Sequence, residues 1–146
     1  MFRWITNVSS GIRGSIGEEL VQDLCGWADI PVGPRRGAGH DMVVGNSKVE
    51  VKLSTLWKGG TYCFQQIRRD DYDHVVFVGL SPDDRVHMWV VPKCVMEEHV
   101  LEVLGQHGGA KATETAWVRV DPNAPPSWLK PYGISVCDAV DALAKL

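Results

Sequence analysis

Two carboxylates and one amine stand at a spacing that a hairpin gathers onto one face: Asp41, then Glu50 and Lys52. Side chains on a strand alternate between faces, so Glu50 and Lys52 point one way while Val49, Val51 and Leu53 point the other. The run Gly45-Asn46-Ser47 predicts a two-residue turn, at Gly45-Asn46 or at Asn46-Ser47. On the partner strand Met42 and Val44 are the core positions, which leaves Asp41 on the face of Glu50 and Lys52. Two carboxylates held close in a partly buried setting repel each other, and a hard divalent cation relieves that repulsion; the oxygens suit Mg²⁺, with Mn²⁺ as a substitute. Such an ion acidifies a bound water and aims it at phosphorus. Lys52 is placed to orient that water and to offset charge on the phosphate. These are the parts of a phosphodiester hydrolase. The plain alternative is a solvated hairpin face carrying a surface ion pair. The apolar opposite face and the nearby run Val75-Val76-Phe77-Val78 place the hairpin inside a sheet instead, where three ionisable groups need a purpose.

With an Asp near one strand and a Glu-x-Lys on the next, the chain resembles the PD-(D/E)XK nuclease superfamily, which includes many restriction endonucleases and the archaeal-type Holliday junction resolvases. The matching residues are Gly39-His40-Asp41 and Glu50-Val51-Lys52. Upstream, Gly14-Ser15-Ile16-Gly17-Glu18 matches the Gly-x-x-x-Glu pattern of the resolvase branch, and Asp41 to Asn46 is similar to that branch's hairpin. His40 stands where the signature has Pro. The resemblance implies a restriction endonuclease-like α/β fold, with an αβββαβ-type core, an extra strand and C-terminal additions. It implies a Mg²⁺-dependent DNA endonuclease in which Asp41 and Glu50 bind the metal and Lys52 assists the water. Glu18, or Glu19 beside it, supports the ion, and a glutamine on the helix after Glu-x-Lys, Gln66 or Gln65, orients the site. Restriction-type cutting and resolution of branched DNA both remain open. The resemblance covers a little over half of the chain and stops near Val91.

The elements that must position these residues follow from periodicity. Ile16, Leu20, Leu24 and Trp27 predict a helix over 15–27, with Ser15 as N-cap and Glu18 as a capping-box partner, the ordinary alternative to a site role. Extended runs over 40–44 and 48–54 form the hairpin. A short helix is predicted over 64–69, strands over 73–80 and 85–91, and a helix from Pro92 to Gly105. Residues 117–120 form a short strand, and Val136, Val140 and Leu143 mark a last helix. Arg13, Arg35, Arg36, Lys58, Arg68 and Arg69 are the candidates for gripping DNA backbone.

The 146 residues suit a single domain spanning 1–146. A net charge of −3 argues against a charge-driven coat on nucleic acid. It is compatible with a nuclease, whose carboxylates lower the net charge. No apolar run is long enough to span a membrane and the first ten residues lack a signal-peptide layout, so the chain reads as soluble, intracellular and cytoplasmic. Cys25, Cys63, Cys94 and Cys137 lack metal-knuckle spacing and read as reduced core residues. The six tryptophans read mostly as core and interface filling, with Trp57, just past Lys52, as the one placed to touch a base. A domain this small is expected to engage both DNA strands as a homodimer. The rival expectation is a catalytically inactive nuclease-fold module that binds nucleic acid or protein.

Overall fold

The computed structural model describes residues 2–34, 38–101 and 115–146. The segment holding Arg35 and Arg36, and the end of the helix predicted to reach Gly105, lie outside the described residues.

A 3₁₀ turn over Phe2–Asn7 leads into α1 (Ser10–Trp27). The strands β1 (Val32–Gly33), β2 (Met42–Val44), β3 (Ser47–Thr55), β4 (Tyr62–Ile67), β5 (His74–Leu80) and β6 (Val86–Pro92) follow. The short helix α2 (Lys93–Met96) continues as a π turn through Leu101, then come β7 (Ala116–Val120), β8 (Gly133–Ile134) and α3 (Val136–Leu143). Six strands form one mixed sheet in the order β1-β2-β3-β5-β6-β8, and β4 pairs with β7 in a separate ribbon. Among the described strands only β3 and β5 run parallel; the other pairs are antiparallel. This is the expected α/β class, a mixed sheet flanked by helices. Among the described residues no helix is long and apolar enough to cross a membrane.

Strand alternation builds two cores on the two faces of the sheet. Val76, Val78, Met88 and Val90 face α1 and α3, where they meet Val21, Cys25, Ala139 and Leu143. The residues between them, Val75, Phe77, Trp89 and Val91, face the ribbon and pack on Tyr62, Phe64, Val118 and Val120. A continuous apolar run such as 75–78 is what a strand covered on both sides requires. Gly79 lets Tyr62 lie against β5, because a Cβ there would stand 2.6 Å from the ring.

Three expectations are corrected. The first helix begins at Ser10, capped by the Ser9 side chain on the Ile12 N–H at 3.4 Å, and not at Ser15. Gly11 and Gly14 lower helix propensity without stopping the helix, which α1 recovers by packing on β3. The segment predicted as a helix over 64–69 is strand β4, because Tyr62, Phe64 and Ile67 are drawn down onto β5 and β6 by a partner strand fifty residues away in sequence. Cys94 and Cys137 are exposed, whereas Cys25 and Cys63 are buried; all four are free thiols.

Candidate active site

The site forms where β2 leaves β3. Pairing between them ends at Met42 with Val49, and β3 continues to Thr55 with that edge unpaired among the described strands. The turn is Gly45-Asn46, with Gly45 at φ +57. Where the ladder ends, the Asp41 side chain replaces it: Oδ2 accepts the Val51 N–H at 2.7 Å, while the Asp41 N–H donates to the Val49 carbonyl at 2.9 Å. Both backbone groups of a strand residue point to the same edge, so the Val51 carbonyl opens on the side where its N–H meets Asp41.

Glu50 and Lys52 share the face predicted for them. The Lys52 ammonium donates to Glu50 Oε1 at 2.5 Å, and the two side chains are 20% and 15% exposed. Burial pushes the Glu50 carboxyl above the usual carboxylate range, with the charges of Asp41 and Asp70 adding to it; the Lys52 hydrogen bond and charge pull the other way. Burial thus disfavours the Glu50 anion, and a cation beside it would favour that anion.

From the opposite face α1 reaches the same edge. Gly17 lets the helix sit tight on β3, since a Cβ there would stand 3.0 Å from the Leu53 Cβ. Glu18 follows on the helix and lines a cleft of about 480 Å³ together with Arg13, Asp41, Glu50, Lys52, Trp57, Gln65 and Gln66. With the cap at Ser9, Glu18 lies well inside α1 and is not a capping-box residue. Glu19 is exposed and does not line the cleft. Both glutamines line it from strand β4 rather than from a helix, which corrects the element expected to carry them. Gln66 holds a left-handed backbone at φ +56 in a bulge, with its side chain exposed.

Of the basic candidates, Arg13 lines the cleft and its buried Nε has no protein partner. Lys58 is exposed and outside the cleft lining, next in sequence to Trp57, which belongs to it. Arg68 and Arg69 follow β4 outside the cleft lining, and Arg69 already donates to the Leu101 carbonyl at 3.0 Å. Ser54 and Cys63, which sequence reasoning did not single out, join the wall: the Ser54 Oγ accepts the Cys63 N–H at 2.9 Å and stitches β4 to β3. A polar residue facing away from the apolar side of β3 was the available signal for Ser54.

Gly39 explains why a glycine precedes His40-Asp41. It adopts φ +97, and a Cβ there would stand 2.6 Å from the Asp71 N. Gly39→Ala is expected to cost about 1–3 kcal/mol of stability through backbone strain and overpacking, read from chemical denaturation. Because Asp41 follows two residues on, any cleavage activity falls with it.

Among the described residues no three His, Cys, Asp or Glu side chains are gathered closely enough to enclose an ion unaided. The donor set is two carboxylates lining one cleft, with a backbone carbonyl opening beside one of them. That suits Mg²⁺, which takes one or two carboxylates and completes its octahedron with water and phosphate oxygens. It does not suit zinc, which favours nitrogen and sulfur ligands in closed tetrahedra.

No family model matches the chain, and no curated protein matches it. Among solved structures, the chain is similar to a bacterial homing endonuclease, I-Ssp6803I, with a TM-score of 0.55 and 18% identity over 94% of this chain and 92% of that one. The likeness is one of fold, a nuclease-like mixed α/β architecture. The likeness extends across nearly the whole length, so it includes the C-terminal part, from Pro92 onward, for which the sequence offered no resemblance.

Proposed function

We propose that this chain is a Mg²⁺-dependent DNA endonuclease of the PD-(D/E)XK type, cutting phosphodiester bonds by hydrolysis. The observation that supports this best is the meeting of Asp41, Glu50 and Lys52 at the free edge of β3, in one cleft with Glu18. Asp41 and Glu50 would hold the ion, with Mn²⁺ accepted in place of Mg²⁺, and the Val51 carbonyl lies at the same edge to complete the protein's share. When bound, the ion supplies Lewis acidity toward the phosphate and acidifies a water.

The chain's own groups do the remaining work. Asp41 is fixed by the Val51 N–H, so its second oxygen is held in place. Lys52, anchored on Glu50, orients the attacking water and offsets the negative charge that grows on the phosphate. Glu18 supports the metal side of the cleft from α1, and Gln65 or Gln66 orients the water or substrate from β4. Arg13 brings a buried donor that a phosphate oxygen would satisfy. One cleft cuts one strand, so cutting a duplex through calls for a homodimer.

The test is cleavage of supercoiled plasmid, linear duplex and four-way junction with Mg²⁺, with Mn²⁺ and with EDTA. Cutting that needs the metal and is lost in Lys52→Ala is the expected result. If the wild-type chain cuts none of the three with either ion, the nuclease reading fails and a nuclease-fold binding module takes its place. The preferred substrate separates restriction-type cutting from resolution of branched DNA.

A further inference from the structure

The β7 half of the ribbon's outer face has no part in the chemistry above, yet it is built from side chains that a core does not need. Along β7, Ala116, Val118 and Val120 are buried, while Trp117 and Arg119 point outward and Trp117 is 57% exposed. Neither strand of the ribbon carries an acidic residue. Asp121, just past β7, accepts the Asn123 N–H at 2.8 Å and so is turned into its own loop.

Register ties this face to the cleft. Cys63 is the partner of Arg119, and opposed residues on an antiparallel pair place their side chains on one face, about 5 Å apart. Cys63 and Gln65 line the cleft. Arg119 therefore stands one strand over from the cleft wall, with Trp117 next along the same face. Between Phe64 and Ile67 the register slips, and the bulge turns Gln66 outward. Bulges beside active sites serve to re-aim a side chain in this way.

We infer that the outer face of the β4–β7 ribbon, through Arg119 and Trp117, reads base pairs of duplex DNA beside the cut. The inference rests on the nuclease reading for the location of the cut. Two strands about 4.8 Å apart fit a major groove about 12 Å wide. The guanidinium fork of Arg119 matches the O6 and N7 of guanine. Trp117 supplies an apolar surface of the kind that meets a thymine methyl. The class of substrate is then a duplex of preferred sequence rather than a junction recognised by shape.

Binding selection separates this from cleavage. The full chain and the variants Arg119→Ala, Arg119→Lys and Trp117→Ala are mixed with a randomised duplex library in EDTA, and bound duplexes are recovered by gel shift and sequenced. The expected result is a wild-type preference that Arg119→Ala flattens about tenfold or more at one base pair. Arg119→Lys, which keeps charge but loses the fork, fails to restore it, and thermal melting stays unchanged for both. Trp117→Ala weakens a second position. The inference is overturned if the wild-type chain selects no sequence, or if the variants keep the wild-type preference. It is also overturned if the variants lose affinity equally for all sequences, which marks Arg119 as a phosphate contact, or if they change only self-association, which marks the face as a protein interface. Failure of metal-dependent cutting with this selection intact would instead sink the nuclease reading alone.

Discussion

Asp41→Asn is expected to abolish DNA cleavage while leaving the fold in place. The amide oxygen of Asn can still accept the Val51 N–H that Asp41 holds at 2.7 Å, so the junction of β2 and β3 keeps its hydrogen bond. What disappears is one negative charge of the pair that would hold the ion. Losing one of two carboxylates for Mg²⁺ removes most of the affinity, and the cleavage rate should fall by about 10³-fold or more, on the scale of losing a main electrostatic contributor. Asp41→Ala loses the same charge and also orphans the Val51 N–H. It should cost a further 1–3 kcal/mol of stability, as an unsatisfied buried donor does. Comparing the two by plasmid cleavage and urea denaturation separates charge from scaffold. Cutting by Asp41→Asn at the wild-type rate would remove Asp41 from the site.

The second large effect is a dependence of metal binding on pH that runs through Glu50. Its carboxyl titrates above the ordinary value, because burial, then Asp41 and Asp70, disfavour the anion more than Lys52 favours it. Without metal, the folded state therefore holds this proton at pH values where the unfolded chain has released it. Stability carried by the protonated form is full below the unfolded value near 4.5 and is lost as pH rises through the raised folded one. A divalent ion needs the carboxylate, so its binding displaces the proton, and the stabilisation it confers grows with pH over the same window. Thermal melting from pH 4.5 to 7.5 should show the metal-free curve sagging as the pH rises. The gap opened by millimolar Mg²⁺ should widen with it. Lys52→Ala removes the charge that pulls the Glu50 titration down, so the same widening moves to higher pH, while Glu50→Gln abolishes it. A Mg²⁺ stabilisation independent of pH across this range would place the ion elsewhere.

The placing of Asp41, Glu50 and Lys52 together was legible in the sequence because strand alternation is a local rule. Once Val49, Val51 and Leu53 are assigned to the core, the face of Glu50 and Lys52 follows, and the Gly45-Asn46 turn returns Asp41 to it. The paired apolar strands β5 and β6 were legible for the same reason. What escaped depends on partners distant in sequence. Phe64 to Ile67 has a spacing compatible with one helical turn, and nothing nearby shows that Val118 and Val120 are waiting to pair with it. The two-residue strands β1 and β8 are too short to have a period at all. The start of α1 was misplaced because Ser15 and Ser9 offer the same capping chemistry, and only the packing of the helix decides between them. Trp117 has the composition of a core residue, but its neighbours Ala116 and Val118 face inward and the alternation leaves it outside.

The pairing of β4 with β7 also orders events in time. Closing Tyr62 onto Val120 spans β5, β6 and α2, and so large a loop is entropically unfavourable until those intervening elements have compacted. On the ribosome, Asp41, Glu50 and Lys52 emerge early, whereas the strand that steadies the far wall of their cleft emerges only after residue 120. A partly synthesised chain thus carries the acidic pair without a formed groove, and the cleft around Asp41, Glu50 and Lys52 is completed only as the ribbon zips shut.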